Sequence, residues 1–346
     1  MGENKQWILF GAGDEGVKLF NLLEKSGQQV YAFVDNNINK IGSTVCDRKV
    51  LSFNELIALY EKYKIVISVS KKYEGELEKQ LLAEGIREYF SLEDVYNDLK
   101  FKESKELSKF KNIHKGEKCF IVGTGPSLRL SDLELINSKG IITFASNRIF
   151  KMYEETTWRP DYYFVTDYKV INQYYDEIVN VEAGEVFVAD IDNSNECQGL
   201  DKSRLSKEGF HCFTICYREQ YEENSEQVLP KFSLDASRYV IDGGLSVTYS
   251  MLQWAVYMGF TEIYLIGVDF HYSDKTGLSN ADHIGNNYLK KGEIVNPPNL
   301  ERCGRAYKRA EMVSKNYGVK IYNATRGGKL EVFERVDLDY LLKEKE

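Results

Sequence analysis

KCFIVGTGPSLRL, residues Lys118–Leu130, is an apolar strand pattern that runs into a turn holding two glycines, a proline and a serine. Four successive apolar residues, Cys119 to Val122, suit a strand buried on both faces of a sheet. Pro126 is pre-set for the first turn of a helix, and the Ser127 hydroxyl suits a helix cap or a phosphate oxygen. A second such unit, ILFGAGDEG from Ile8 to Gly16, lies upstream and matches the G-x-G-x-x-G spacing more closely. Strand, glycine turn and helix occurring twice in one chain predicts two parallel α/β units.

The alternation extends outward from both turns. WILFGAG, VYAFVDNN and KIVISVS read as strands, separated by the amphipathic stretches EGVKLFNLLEKSG and NELIALYEKYK and followed by KKYEGELEKQLLAEGI. Three or four strands are evident there, half of a full Rossmann domain. From Glu93 to Lys118 the chain becomes rich in charge and poor in aliphatics, which predicts a surface helix bridging two domains. The boundary falls near residue 105, giving a small Rossmann-like domain over 1–104 and a larger domain over 105–346. In the second domain GIITFASN, PDYYFVTD, EVFVADID, FHCFTICY, EIYLIGVDF and VKIYNATRGG read as strands, the last of these closing the sheet. GGLSVTYSMLQWAVYMGF and LERCGRAYKRAEMVSKNYG read as long helices.

Composition narrows the function. At 346 residues and 43% apolar, the chain can build two cores. A net charge of −8 with no basic run argues against nucleic-acid binding by phosphate neutralisation. There is no signal-peptide pattern and no apolar run of membrane-spanning length, so a cytoplasmic protein is expected. The six cysteines are scattered without zinc-ligand spacing and read as free, reduced thiols.

Gly11, Gly13 and Gly16 form the first fingerprint, and Asp35 follows 19 residues after Gly16, where a ribose-binding carboxylate would sit. Asp14 and Glu15 at the helix start suit the helix dipole and would repel a pyrophosphate. This turn reads foremost as a structural or assembly module, and is a second possible nucleotide site. The second turn, Gly123, Thr124, Gly125, Pro126 and Ser127, has companions. Asn147 and Arg148 follow one strand, Thr166 and Asp167 another, and Asp269 and His271 a third. Ligands in parallel α/β sheets bind beyond the carboxyl ends of the strands, so these groups are expected to converge on one crevice, with Tyr322 and Asn323 at the end of the last strand. Asp167 and Asp269 could hold Mg²⁺, which takes one or two carboxylates plus substrate oxygens. His283, in the polar loop NADHIGNNY, is the first candidate proton acceptor and His271 the second.

Residues from about 110 to 335 resemble the 6-hydroxymethylpterin diphosphokinase MptE-like domain of bacterial surface-polysaccharide loci. FIVGTGPSL, SNRIF with WRPDYYFVTD, GGLSVTYSMLQWAVYMGFTEIYLIGVDF and IYNATRGGKLEVFERVD carry the resemblance. The domain also looks like family 42 sialyltransferases, which share the G-x-G-P-S-L turn and a G-hydrophobic-D-F strand end. The N-terminal segment, through YAFVDNN-INKIG, resembles small Rossmann-like domains attached to bacterial sugar-modifying enzymes. The sialyltransferase resemblance implies that Gly123, Gly125 and Ser127 contact a nucleotide phosphate and ribose, and that Asn147 contacts the nucleotide. It implies an anion-binding helix start at Gly243, Gly244 and Leu245, and a catalytic role for His283. Arg148 stands in place of that family's glutamine, and Asp167 in place of its asparagine. The expected partners are a nucleotide-activated sugar or a nucleotide and a glycan or small-molecule acceptor, with possible homo-oligomerisation. The expected function is a glycosyltransferase-like enzyme of surface glycan synthesis using a nucleotide-activated, possibly CMP-linked, sugar. The alternatives are a Mg²⁺-dependent diphosphokinase using ATP and a non-catalytic nucleotide- or sugar-binding partner.

Overall fold

The computed structural model describes residues 5–101, 103–191, 194–216, 231–273, 279–285, 288–289 and 298–343. It divides into two compact units, Met1–Lys102 and Glu103–Glu346.

The first unit runs β1 (Trp7–Phe10), α1 (Asp14–Lys25), β2 (Val30–Val34), β3 (Thr44–Val45), β4 (Arg48–Leu51), α2 (Phe53–Leu59), β5 (Lys64–Ile67), α3 (Lys71–Ala83), β6 (Phe90–Ser91) and α4 (Leu92–Lys100). The four residues of β1 are all buried, and successive side chains go to opposite faces of the sheet. Trp7 and Leu9 pack with Leu19 and Leu23 of α1 and Val95 of α4, while Ile8 and Phe10 pack with Leu56 of α2 and Leu77 and Leu81 of α3. This two-sided burial makes a three-layer α/β/α unit. Its sheet has six strands among the described residues, in the order β3-β4-β2-β1-β5-β6, rather than the three or four expected. The additional strands β3, β4 and β6 are two to four residues long, too short to carry a periodic signal. The β3–β4 hairpin is antiparallel, and the other pairings are parallel.

The second unit runs β7 (Lys118–Val122), α5 (Leu130–Ser138), β8 (Ile142–Ser146), β9 (Tyr162–Val165), α6 (Tyr168–Gln173), α7 (Tyr175–Val179), β10 (Glu185–Ala189), β11 (Phe210–Phe213), β12 (Ile215–Cys216), β13 (Val240–Ile241), α8 (Val247–Tyr257), β14 (Glu262–Ile266), α9 (Leu300–Asn316), β15 (Lys320–Asn323), β16 (Glu334–Arg335) and α10 (Leu338–Leu342). Among the described residues eight strands form one parallel sheet, ordered β11-β10-β9-β8-β7-β14-β15-β16, and β12 and β13 pair separately. The chain winds outward from β7 through β11, then crosses to the other side of β7 and continues from β14. The order therefore reverses between β7 and β14, the kind of switch point beyond whose carboxyl ends open α/β sheets bind ligands. VKIYNATRGG is not the final strand, because β16 adds to its outer edge in parallel.

The charged stretch before β7 is not a bridging surface helix. Helix α4 ends at Lys100, and a 3-10 turn at Leu107–Phe110 buries both of its terminal residues. The Phe110 ring packs edge-on against Phe187 of β10, Trp254 of α8 and His211 of β11. Phe187 and Trp254 are fully buried, each contributing on the order of 3 kcal/mol of transfer free energy. The six cysteines are free thiols. Among the described residues no helix is long and apolar enough to cross a membrane.

Candidate functional site

The Gly123–Ser127 turn closes on the end of β14 rather than opening as a phosphate cradle. Gly123 N–H donates to Ile266 O (2.8 Å), Gly125 N–H to Gly267 O (2.9 Å) and Leu128 N–H to Gly125 O (3.2 Å). Thr124 N–H is the turn amide with no bond among the described residues. The glycines serve this close approach. A Cβ on Gly123 would stand 2.4 Å from Gly267 O, and one on Gly125 would stand 2.0 Å from Asp269 Oδ2. Ser127 Oγ donates to Asp269 Oδ2 at 2.8 Å, and Ser127 N–H points to the same oxygen at 3.4 Å. Burial pushes the Asp269 carboxyl above its ordinary range, partly offset by the Ser127 hydroxyl and amide and by nearby His271.

The His283 loop is fastened to this turn from several directions. Ile284 N–H donates to Thr124 O (2.8 Å), and Thr124 Oγ1 donates to the Tyr288 hydroxyl (3.1 Å). Buried Asp282 accepts from Ser273 N–H (2.7 Å) and Oγ (2.8 Å), tying the loop to the chain that leaves Asp269. Asn280 and Leu289 bond each other across the loop. The His283 ring stacks on Tyr288, with centroids 4.3 Å apart and planes at 19°, and Tyr272 meets it edge-on. His283 thus stands beside the turn, its ring stacked on Tyr288.

Beyond β8, Asn147 adopts a left-handed backbone (φ +55°) and its carbonyl accepts from the Tyr163 hydroxyl at 2.5 Å. Its Oδ1 is buried without a hydrogen-bond partner among the described residues. Arg148 is buried, its guanidinium 5.3 Å from the Tyr174 ring centre and 5.8 Å from that of Tyr288. Lys151 donates to the Tyr174 hydroxyl (2.7 Å) and Tyr288 O (2.6 Å). One buried residue, Tyr288, therefore joins Thr124, Arg148 and His283 through its phenol and Lys151 through its backbone carbonyl. Sequence reading did not single it out, nor Tyr174 or Lys151. Tyrosine is too common here, at 24 residues, to mark one by itself.

Thr166 and Asp167 follow β9 at the same end of the sheet, but the Asp167 carboxylate caps α6 by accepting from Lys169 N–H (2.9 Å). His271 is exposed beside Asp269. In the loop before α8, Gly244 N–H (2.9 Å) and Leu245 N–H (3.1 Å) already bind the Asp242 carboxylate, so these two amides hold an internal anion. A Cβ on Gly243 would strike the Tyr249 ring at 2.5 Å, a packing reason for glycine there. Tyr322 lies within β15, stacked on Tyr264 of β14. Asn323 is buried and spends its side chain on Leu330 O (2.7 Å) and Thr325 N–H (3.0 Å). Neither reaches the crevice as expected: Tyr322 is paired inside the sheet, and Asn323 holds the loop that follows it. Among the described residues no group of three or more His, Cys, Asp or Glu gathers to hold a metal.

The first glycine turn has its own carboxylate. Asp35 Oδ2 accepts from Ala12 N–H (3.0 Å) and from Lys40 Nζ (3.0 Å), and Lys40 Nζ also donates to Ala12 O (3.1 Å). Burial alone would raise the Asp35 carboxyl, but the Asn37 amide, Lys40 and the Ala12 amide outweigh it and hold it below its ordinary range. Gly16 is required because a Cβ would stand 2.1 Å from Gly11 O. Gly13 is the N-cap of α1 with no such constraint, and its side-chain position is open.

A cavity of about 350 Å³ lies at the start of β11, lined by Lys109, Lys207, His211 and Cys212 among others. It is remote from the carboxyl strand ends, and none of the expected site residues lines it. There His211, buried, sits between Glu106 and Glu185 at 2.6 Å each.

The sequence profile of the family described as 6-hydroxymethylpterin diphosphokinase MptE-like matches residues 93–275, and one described as C2185-like, N-terminal, matches residues 3–90. No curated protein matches the chain. Among solved structures, the chain is similar to the MAf glycosyltransferase from Magnetospirillum magneticum AMB-1 at 16% identity and a TM-score of 0.38. That similarity covers 96% of this chain and 57% of the other, so this chain spans little more than half its length. It is also similar to UDP-D-quinovosamine 4-dehydrogenase from Vibrio fischeri, at 22% identity and a TM-score of 0.22, over 27% of this chain and 84% of that one.

Proposed function

Because the chain belongs to the 6-hydroxymethylpterin diphosphokinase MptE-like family, we propose that its second unit is a glycosyltransferase-like enzyme that binds a nucleotide-activated sugar between β7 and β14. The observation that carries this reading is the docking of the His283 loop on Thr124, through Ile284 N–H and the Tyr288 hydroxyl. It brings a titratable imidazole to a glycine turn at the topological switch point, where open α/β sheets bind ligands. Thr124 N–H and the Arg148 guanidinium are the donors for the leaving phosphate. His283 takes the proton of the acceptor hydroxyl as its oxygen attacks the anomeric carbon. The new carbon–oxygen bond forms while the bond to the nucleotide phosphate breaks, and the nucleotide leaves with that electron pair. The likeness of the G-x-G-P-S-L turn to family 42 sialyltransferases favours a CMP-linked donor and a role in surface glycan synthesis. Isothermal titration with CMP, UDP and GDP tests the reading. Binding of one nucleotide, weakened by Arg148→Met, is expected, and binding of none contradicts it.

The family's description favours one other reading, transfer of pyrophosphate from ATP to a hydroxymethylpterin. There Mg²⁺ would be held by Asp167 or Asp269 together with phosphate oxygens. Release of AMP from ATP and the pterin, dependent on Mg²⁺, separates that reaction from sugar transfer.

A further inference from the structure

Away from the strand ends, and independently of the reading above, we propose that His211 is a proton-operated fastener. It closes the chain entering the second unit onto its sheet in mild acid and loosens it as pH rises. The His211 side chain is 2% exposed, and its two ring nitrogens each meet a carboxylate oxygen at 2.6 Å, Nδ1 that of Glu106 and Nε2 that of Glu185. A neutral imidazole carries one N–H, and a carboxylate carries none. Both bonds therefore exist together only when the triad holds a second proton, on the ring or on one of the carboxyls. With a single proton, one of the two contacts becomes a pair of acceptors facing each other. Such a pair repels, and the fastening opens.

The two carboxylates come from elements far apart in sequence. Glu185 begins β10, two residues before Phe187, the partner of His211 in the sheet register. Glu106 precedes the 3-10 turn Leu107–Phe110, just after the boundary between the units. Phe110 of that turn and Phe187 close the apolar side of the imidazole, with ring centres 4.8 and 5.1 Å away. The same segment is also held by Ser104 N–H on Ser237 O (3.0 Å) and Asn112 N–H on Tyr257 O (3.1 Å), bonds that do not titrate. Lys109, Lys207 and Glu208 are the other charged residues lining the adjoining cavity, together with Cys212. Lys109 lies over the Phe110 ring (4.9 Å), and Lys207 lies over the Phe210 ring (4.4 Å) and donates to Val179 O. Among the described residues neither lysine pairs with Glu106 or Glu185, so His211 answers both carboxylates. Burial pushes the Cys212 thiol up, which keeps it a neutral neighbour. The Glu106 side chain is 58% exposed, which gives the proton a path to solvent.

The sign follows from the proton count. Below the ordinary histidine range, about pH 6.5, the opened chain binds the second proton too, and the fastening is at full strength. Above that range the opened chain gives the proton up while the closed triad keeps it, so closure weakens by up to about tenfold per pH unit. Hydrogen–deuterium exchange of the whole chain, read in peptides covering 103–110, tests this against Glu106→Gln at the same pH, which cancels intrinsic exchange chemistry. In that variant the new amide donates to a neutral Nδ1 while Nε2–H donates to Glu185, so the link survives without the extra proton. Relative to the variant, the wild type is expected to lose roughly tenfold in protection between pH 6 and pH 8. A merely structural role for His211 would not produce that slope. His211→Gln, which removes the titrating ring, should give the same pH-dependent contrast and serves if Glu106→Gln folds poorly. A ratio of wild type to variant that stays level or rises with pH overturns the inference.

Discussion

The two glycine turns of this chain each recruit a carboxylate from a neighbouring strand end, and they differ in what balances its charge. In the first unit Asp35, just beyond β2, accepts from Ala12 N–H and Lys40, and Lys40 closes the ring by donating to Ala12 O. Amide, carboxylate and ammonium satisfy one another. In the second unit Asp269, just beyond β14, accepts from Ser127 without an ion pair to lysine or arginine among the described residues. A histidine loop is docked on the adjoining Thr124. The turn with the better fingerprint pairs its carboxylate with an ammonium, and the turn with the poorer fingerprint answers its carboxyl with a serine hydroxyl and amide. Glycine spacing reports close backbone approach in both turns, and the partners of the nearby carboxylate are what differ between them.

The sharpest way to break the comparison is to place a methyl group in each turn. Gly16→Ala drives a Cβ to 2.1 Å from the Gly11 carbonyl, backbone against backbone, and should destabilise the first unit by about 3 kcal/mol. Thermal unfolding should register this with no change in nucleotide affinity. Gly125→Ala meets both the Asp269 carboxylate, at 2.0 Å, and the Gly267 carbonyl, at 2.8 Å, and should cost stability of similar size, about 2–3 kcal/mol, while also lowering nucleotide affinity at least tenfold. Equal loss of affinity from both substitutions would dissolve the distinction.

Next in size is His283→Ala. Turnover should fall by about a hundredfold or more while nucleotide affinity stays within about threefold, because the ring supplies proton transfer rather than ground-state binding. Steady-state kinetics beside titration separates the two, and a variant that loses affinity alone would demote His283 to a binding residue.

The smallest effects belong to the neutralised turn. Lys40→Met removes the partner of Asp35 from a partly exposed pair and should cost about 1 kcal/mol or less. Asp35 is depressed in the folded state, so its contribution is present above the ordinary carboxylate range and fades as pH falls through it. Melting temperatures of wild type and Lys40→Met should therefore differ at neutral pH and converge toward about pH 3. A gap that widens in acid would contradict the closed circuit.

Much of the architecture was legible because β1, β7 and β14 are short apolar runs followed by glycine turns, the mark of strands buried between helix layers. The two-residue strands β3, β6, β13 and β16 were not, since two residues establish no period, and FHCFTICY, read as one strand, is divided into β11 and β12. Leu107 and Phe110 were read with the charged stretch around them, and long-range packing on Phe187 and Trp254 explains the burial of Phe110. The same limit applies to the site. Ser127, Asp269 and His283 announced themselves through turn and strand-end chemistry. The direction of the Ser127 hydrogen bond and the junction at Tyr288 depend on contacts spanning 142 and 164 residues, which no local pattern encodes.

Hydrogen–deuterium exchange of the whole chain, with and without saturating CMP, UMP, AMP or GMP, tests the central claim directly. The account predicts that at least one nucleotide slows exchange in peptides covering 123–128 and 279–285, with no change over 11–16. Protection confined to 11–16, or none in the second turn with any of the four, would contradict it.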